Sequence, residues 1–297
     1  MNLLHPHGRP FRFGTSLAPR GHGRILAIVS VMLCGAVGAL AQPGNWQTLQ
    51  FPSSGANQSY CFGMNPRGDM VGTYWLSGTN GFLLSQGTYY GPLPGQAQAH
   101  GINSRGDIVG YYGNDGFLLS DGVLTILKYP QVAMTHPWDI NPQGEIVGMY
   151  MTTANSKNQG FLRSKDGTFT DIKYPGAIAT RPYGINPQGD IVGAYKDSAT
   201  IDHGFLRSKD GNFTPLDYPG ATNTSAYKIN ARGEIVGFYY DSAGLSHGFL
   251  WQNGVFTMVD YPGATQTMIH GFNSEGEMCG MMLLNGASVW SGFARTW

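Results

Sequence analysis

The chain has 297 residues, no formal net charge at neutral pH, 44 glycines and a charged fraction of only 12%. Apolar residues supply 41% of the chain and aromatic residues 12%, which excludes an intrinsically disordered protein. Low charge combined with abundant glycine suits tightly packed β-structure, and nothing in the composition points to a nucleic-acid partner.

The first 41 residues differ in character from the rest of the chain. Four arginines lie between positions 9 and 24, an apolar stretch follows at 25–39, and Ala39-Leu40-Ala41 provides a small-x-small cleavage pattern. A membrane anchor is the alternative, but about 15 apolar residues are short for a bilayer span. We therefore expect a signal peptide at 1–41, cleaved near Ala41, and a secreted or periplasmic protein without a stable membrane span. The remaining chain has 14 basic and 18 acidic residues, a net charge of about −4.

A unit of about 44 residues recurs six times after this segment. A β-meander of that length cannot bury both of its own faces, so the repeats must stack on one another. The asparagine that opens the first turn of each unit marks the six copies: Asn65, Asn103, Asn141, Asn186, Asn230 and Asn273.

Each unit contains four short strand candidates, here named a to d, which in the fourth copy lie at 181–186, 190–196, 203–208 and 212–218. Asn186-Pro187-Gln188-Gly189 predicts a type I turn between a and b, and Asp210-Gly211 predicts a tight hairpin between c and d. Tyr218-Pro219 ends strand d, because proline has no amide donor for a central ladder. No window after the N-terminal segment has helical periodicity, so the sequence predicts an all-β chain.

The sixth copy ends without a strand d, and residues 45–52 match 212–219 position for position in character. A chain whose beginning completes its end is most simply a closed ring. The sequence therefore predicts a six-bladed β-propeller over 42–297, built of four-stranded antiparallel blades and closed by the N-terminal strand. We expect it to be a monomer.

Cys61 and Cys279 fall in the first and sixth repeats, which are neighbours in a closed ring. A disulfide at this seam fits an exported protein. A buried free thiol is the alternative that we favour, since Cys279 occupies a position held by valine in other repeats.

The connections predict where a ligand would bind. The a–b and c–d turns are short and uniform, whereas the b–c connection varies from three residues in the second copy to nine in the third. Variable loops on a rigid scaffold are the usual place for binding, so we expect any ligand on the face with the b–c and d–a connections, or at the central channel.

Three residues before each turn asparagine the chain carries an aromatic side chain: Phe62, His100, Trp138, Tyr183, Tyr227 and His270. A ring of this kind would stack sugars or bases, and His100, Trp138 and His270 are its candidate ligand contacts. The alternative, which we favour, is an inter-blade core, because each aromatic shares a strand face with an aliphatic residue two positions later. No metal-ligand spacing accompanies the histidines.

His203 and His247 precede Gly-Phe in adjacent repeats, with Asp197, Asp202 and Asp241 nearby in the same loops. Such acid and base groups suit glycoside hydrolysis or lyase chemistry, and they are candidate ligand-binding residues. Because they belong to the repeat motif, a structural role is favoured. We assign no catalytic residue, and we expect no cofactor and no metal.

An acidic residue follows every turn glycine: Asp69, Asp107, Glu145, Asp190, Glu234 and Glu277. Six carboxylates in a ring would attract cations or basic partners. We favour solvated hairpin ends, some of them paired with Arg67, Arg105 or Arg232.

The pattern Gly-Ile-Asn, Gly-Asp-Ile-Val-Gly, His-Gly-Phe-Leu and Tyr-Pro-Gly-Ala, clearest at 184–221, resembles the HAF family of probable extracellular repeats of bacteria. The resemblance covers about 45–297, is strongest in the fourth and fifth copies, and departs in the sixth, where Met282 replaces the strand b tyrosine. It implies export and a repeat fold, and it brings no established activity.

Together these patterns favour an exported, non-catalytic propeller that binds an extracellular glycan or protein. The alternative is an exported carbohydrate-active hydrolase or lyase on the same scaffold. Fold alone does not decide between them.

Overall fold

The computed structural model describes residues 44–50, 58–93, 97–152 and 157–296. Their strands form six sheets of four, called blades 1 to 6, each with strands a to d from the axis outward. Blades 1 to 3 contain, in the order a to d, β2 (Ser59–Met64), β3 (Met70–Trp75), β4 (Thr79–Ser85) and β5 (Thr88–Tyr90); β6 (Gln98–Ile102), β7 (Ile108–Tyr112), β8 (Asp115–Ser120) and β9 (Val123–Leu127); and β10 (Met134–Ile140), β11 (Ile146–Met151), β12 (Gln159–Arg163) and β13 (Phe169–Ile172). Blades 4 to 6 contain β14 (Ala179–Ile185), β15 (Ile191–Lys196), β16 (Asp202–Arg207) and β17 (Phe213–Leu216); β18 (Asn223–Ile229), β19 (Ile235–Tyr240), β20 (Ser246–Gln252) and β21 (Val255–Met258); and β22 (Ala264–Phe272), β23 (Met278–Leu284), β24 (Ser291–Thr296) and β1 (Asn45–Leu49).

The six sheets form the closed six-bladed β-propeller that the repeats predict. All strand pairs are antiparallel, so the a–b and c–d turns lie on one face of the disc, the turn face. The b–c and d–a connections lie on the other, the loop face. The expected signal peptide at 1–41 lies outside the described residues.

The N-terminal strand supplies strand d of blade 6. β1 pairs antiparallel with β24 along all of its length, and Leu49 at its end is buried. The Trp46 ring lies 5.4 Å from that of Tyr261 in blade 5 and 5.5 Å from that of Phe293 in β24. The predicted ring closure is therefore confirmed.

A disulfide joins blade 1 to blade 6 at the same seam. The sulfur atoms of Cys61 in β2 and Cys279 in β23 are 2.10 Å apart. Both residues are fully buried in an apolar cluster with Leu49, Met64 and Met70. The structure therefore has the bonded state and not the buried free thiol that the valine pattern favours.

Strand d is shorter than the pattern predicts. In blade 4 it ends at Leu216, because the backbone N–H of Tyr218 donates to Thr224 Oγ1 of the next blade, at 3.0 Å, instead of continuing the ladder. The same side-chain bond recurs at Tyr129, Tyr174 and Tyr261. Each Tyr-Pro is thus a fastening between blades.

Each strand c places one phenylalanine in the interface between blades. The ring of Phe205 packs directly on Gly193 of strand b, where an added Cβ would come within 2.8 Å of the ring. Glycine is required for that close approach. The six buried rings are Phe82, Phe117, Phe161, Phe205, Phe249 and Phe293.

The turn asparagines form a polar belt on the turn face. Asn141 Oδ1 accepts hydrogen bonds from the backbone N–H groups of Gln143 (3.1 Å) and Glu145 (2.9 Å). Its Nδ2 donates to the Glu145 carboxylate at 2.7 Å and to the carbonyl of Asn186 in blade 4 at 3.3 Å. The bond to the next blade is repeated by Asn65, Asn103, Asn230 and Asn273, the last of which reaches back to Asn65.

The acidic residues of these turns are not simply solvated hairpin ends. Asp69, Asp107 and Glu234 are buried, and each carboxylate accepts a hydrogen bond from its turn asparagine, which offsets the cost of burial. The predicted arginine partners are confirmed at 2.6–2.9 Å from these carboxylates: Arg67, Arg105 and Arg232.

Candidate functional site

Six aromatic side chains meet on the propeller axis, one from strand a of each blade. Neighbouring ring centroids lie 4.3–5.3 Å apart around a closed circuit. The ring of Trp138 also lies within 6.0 Å of Tyr227 and 6.4 Å of Phe62, across the circuit. This axial ring consists of Phe62, His100, Trp138, Tyr183, Tyr227 and His270.

Every member of the axial ring lies at a β-bulge. The register between strands a and b shifts by one residue there, for example between Pro182 and Gly184 around Tyr183. A bulge interrupts the alternation of side chains. The rings therefore pack on one another, as an inter-blade core would, but they do so at the axis instead of beside the aliphatic residues.

A buried ion pair lies next to the axial ring. Lys228 Nζ of blade 5 is 2.6 Å from Asp139 Oδ1 of blade 3, and both residues are buried. The other oxygen of Asp139 accepts the backbone N–H of Ile185 in blade 4 at 3.0 Å. Burial lowers the pKa of Lys228 and raises that of Asp139, while the charge of each partner opposes the shift.

His100 and His270 are fully buried members of the axial ring. Burial, and then the nearby charge of Lys228, lower the pKa of His270 to about 3 and hold that of His100 well below its usual value. Both imidazoles are therefore neutral. Among the described residues neither ring nitrogen of His100 has a hydrogen-bond partner, so the ring acts by stacking on Phe62 and Tyr111.

His203 links two parts of the loop face of blade 4. Its Nδ1 lies 3.0 Å from the carboxylate of Asp217 at the end of strand d, and its Nε2 lies 3.5 Å from that of Asp197 in the b–c loop. Burial lowers the pKa of His203, but the hydrogen bonds and charges of the two carboxylates outweigh it and leave the pKa raised. The imidazole thus fastens the b–c loop to strand d.

His247 repeats this arrangement in blade 5, with Nδ1 at 2.7 Å from Asp260 and Nε2 at 3.5 Å from Asp241. Sequence reasoning brings Asp197 and Asp241 to the histidines but misses Asp217 and Asp260. The signal for both is their position directly before Tyr-Pro.

Asp202 lies apart from the His203 cluster, although the two residues are adjacent in the chain. Its carboxylate pairs with Arg181 in strand a and with Lys196 Nζ at 3.0 Å. Its backbone N–H donates to Asn223 Oδ1 of blade 5 at 2.9 Å. Asp202 therefore ties blades 4 and 5 together near the axis.

Strand b tyrosines stack against the Tyr-Pro tyrosine of the preceding blade. The stacked pairs, at 3.6–4.1 Å, are Tyr129 with Tyr150, Tyr174 with Tyr195, and Tyr218 with Tyr239. Blade 1 has no Tyr-Pro after β5, and the corresponding Tyr112 of blade 2 is 53% exposed. Trp75, at the end of strand b in blade 1, is 50% exposed. Both are therefore available on the loop face.

An open cleft of about 430 Å³ lies between blades 2 and 3 on the loop face. Its polar wall contains Asn114, Asp115 and Lys128, and its other side is the d–a connection at 129–135. The Lys128 ammonium lies 2.9 Å from the Asp115 carboxylate. Sequence reasoning selects this face but none of these residues.

The described part of the chain contains no group of three or more His, Cys, Asp or Glu side chains that is able to hold a metal ion. In the same residues no helix has the length and apolarity needed to cross a membrane.

No family model and no curated protein matches the chain. Solved structures similar to it include one assigned to TolB from Agrobacterium tumefaciens, with TM-score 0.55, 12% identity, and coverage of 68% of this chain and 75% of that one. A gluconolactonase of Xanthomonas campestris has TM-score 0.54 and 10% identity over 85% of this chain and 89% of its own. TolB from Acinetobacter baumannii has TM-score 0.51 and 9% identity over 80% of this chain and 62% of its own. At such identities the likeness concerns the fold alone, and by fold the chain is a six-bladed β-propeller.

Proposed function

We propose that the protein is an exported, non-catalytic binding module whose ligand, an extracellular glycan, is held on the loop face. The N-terminal pattern at 1–41 and the Cys61–Cys279 disulfide favour export. The observation that carries the proposal is the conjunction of an open polar cleft with exposed aromatic rings on one face. Sugars are held by that combination, because hydroxyl groups take hydrogen bonds and the apolar face of a sugar ring stacks on an aromatic ring.

The arrangement of charges argues against hydrolysis in the cleft. Most glycosidases use two carboxyl groups that flank the scissile bond of one sugar, at a separation of about 5–10 Å. Among the residues that line the cleft, Asp115 is the only acid, and it is paired with Lys128. The carboxylates beside His203 and His247 are occupied by the imidazoles in the same way.

Binding and turnover are separated by one experiment. The mature protein is run through gels that contain individual polysaccharides, and each polysaccharide is also assayed for new reducing ends or unsaturated products. We expect retardation by at least one polysaccharide without product. The double variant Trp75→Ala/Tyr112→Ala should lose retardation, whereas Val123→Ala/Val255→Ala, at even more exposed positions on the outer rim, should keep it.

Product release that stops in Asp115→Asn would establish the hydrolase or lyase alternative instead. Retardation by no polysaccharide, together with saturable binding to an extracellular protein, would replace the glycan by a protein partner.

A further inference from the structure

Gln131 stands at a position that other blades give to glycine. Its backbone φ is +58°, in the left-handed region that side chains disfavour. The corresponding residues after Tyr-Pro in blades 3, 4 and 5 are Gly176, Gly220 and Gly263, with φ of 77–79°. Blade 2 therefore has a side chain at a position where blades 3 to 5 show that glycine is compatible with the fold.

Packing does not explain this side chain. Gln131 is exposed, and a Cβ added at any of the three equivalent glycines meets no atom within 4 Å. Side chains kept in disfavoured backbone conformations concentrate at functional sites. The packing of the blade therefore does not require a side chain at this position, and the Gln131 side chain is exposed to a ligand.

Gln131 lines the cleft between blades 2 and 3. Only Gly113 and Asn114 connect β7 to β8 in blade 2, and this short b–c connection leaves the cleft open. Its floor is fixed, since the Thr135 N–H donates to the Asn114 carbonyl at 2.8 Å, and Thr135 Oγ1 accepts the Tyr129 N–H at 2.9 Å. A rigid floor beneath exposed amide side chains is a preformed site.

The chemistry of the wall selects an uncharged ligand. Lys128 and Asp115 neutralise each other at 2.9 Å, so the cleft presents no net charge. The amides of Asn114 and Gln131 each offer both donors and acceptors, which matches the hydroxyl groups of a sugar. Tyr112 ends β7 two residues before Asn114, on the same face.

We propose that the cleft between blades 2 and 3 is the sugar subsite of the loop face, that Gln131 contacts the ligand directly, and that the sugar unit bound there is uncharged. This inference rests on the proposed glycan-binding function and assigns its site and ligand class.

The variant Gln131→Gly tests the assignment, because it copies blades 3 to 5. The melting temperature should rise by about 1–3 °C as the backbone strain is relieved. Affinity for the polysaccharide that retards the wild-type protein should fall by about three- to tenfold, the effect of one lost hydrogen bond. Asn114→Ala should reduce affinity similarly without raising the melting temperature.

Gly220→Gln is the matched control in blade 4. It should lower the melting temperature by a similar amount, about 1–3 °C, since it introduces the same strain, and it should leave affinity unchanged. Equal retardation of the wild-type protein and the Gln131→Gly variant would overturn the cleft assignment while the binding function stands. Retardation only by uronic or sulfated polysaccharides would overturn the uncharged ligand class, and retardation by none would overturn both this inference and the proposed function.

Discussion

Asp139 and Lys228 occupy the strand a positions at which the other four blades carry glycine. Glycine fits there because the next blade's backbone is close: a Cβ on Gly101 would lie 2.7 Å from Asp139 Cα. Two charged side chains in this space are stable only as a pair, since a single buried charge has no solvent and no counter-charge. The replacement of glycine by Asp139 in blade 3 thus depends on its replacement by Lys228 in blade 5.

Removing one partner should be worse than removing both. Lys228→Gly leaves the Asp139 carboxylate buried alone, and we expect a loss of about 3–5 kcal/mol in the free energy of unfolding at neutral pH. The loss should shrink as the pH falls, because burial raises the pKa of Asp139 and a protonated carboxyl needs no counter-charge. Asp139→Gly/Lys228→Gly should lose less than the single variant. Urea unfolding of the three proteins measures these values, and equal losses in both variants would contradict the coupling.

His203 should make stability depend on pH in a defined direction. Its pKa is raised in the folded protein, so its contribution is fully present below the unfolded value of about 6.5 and is lost as the pH rises through the folded pKa. In His203→Gln, which copies Gln159 of blade 3, the deficit in unfolding free energy should therefore be larger at about pH 5.5 than at about pH 8.5.

His136 provides the control of opposite sign. Burial lowers its pKa despite a hydrogen bond to the Gly113 carbonyl, so protonation opposes folding. The free energy of unfolding of His136→Gln should accordingly rise relative to that of the wild-type protein as the pH falls. Parallel pH profiles for the two variants would contradict both assignments.

Strand a of each blade contains one feature that the sequence predicts, the turn that follows it, and one that the sequence does not predict, its β-bulge. Its turn is predictable, because Asn-Pro-Gln-Gly encodes its own dihedral angles locally. The β-bulge three residues before the turn asparagine has no local sequence signature. If side chains are assumed to alternate between the two faces of the sheet through the bulge, Tyr183 is assigned to the wrong neighbours. The pair of Asp139 and Lys228 is likewise hidden, because only the ring geometry brings blades 3 and 5 together across the axis.

The candidate site is also only partly predictable from local sequence. The variable face is predictable from loop lengths, whereas the cleft depends on which short loop leaves space unfilled. One sequence feature does indicate the left-handed backbone at Gln131: blades 3 to 5 have glycine after Tyr-Pro, whereas blade 2 has glutamine.

The turn asparagine should be a principal fastening between blades. Asn141 is buried and its side chain makes four hydrogen bonds, so Asn141→Ala should cost about 2–4 kcal/mol of unfolding free energy by leaving their partners unsatisfied. Asn141→Asp keeps the acceptor but loses the donor to the Asn186 carbonyl and places a second charge beside Glu145, and it should also destabilise. The exposed Asn212→Ala should stay within about 0.5 kcal/mol of the wild-type value in the same urea titration.

In the whole molecule three different links cross the one seam at which the chain could open. β1 completes the outer edge of blade 6, the disulfide joins strands near the axis, and Asn273 donates to the Asn65 carbonyl at 3.2 Å on the turn face. Each of the other five blades is built from one continuous stretch of chain, whereas blade 6 is completed by pairing the two distant strands β24 and β1. Ring closure is predictable because residues 45–52 match an internal copy, but the pairing of the cysteines requires the distance between their backbones.

The links at the seam should act cooperatively. Cys61→Ala/Cys279→Val, which copies the residues of other blades, should cost about 5 kcal/mol in the chain-entropy model for so long a loop. Deleting residues 42–55 removes β1 and leaves β24 as an exposed edge, which favours aggregation. While the disulfide is intact, that deletion leaves the inner strands joined. Without it, blade 1 is free to leave blade 6, so the combined loss should exceed the sum of the two separate losses. Urea unfolding of the four proteins, with size-exclusion chromatography to detect aggregates, completes the cycle. Simple additivity would mean that the two closures stabilise the ring independently.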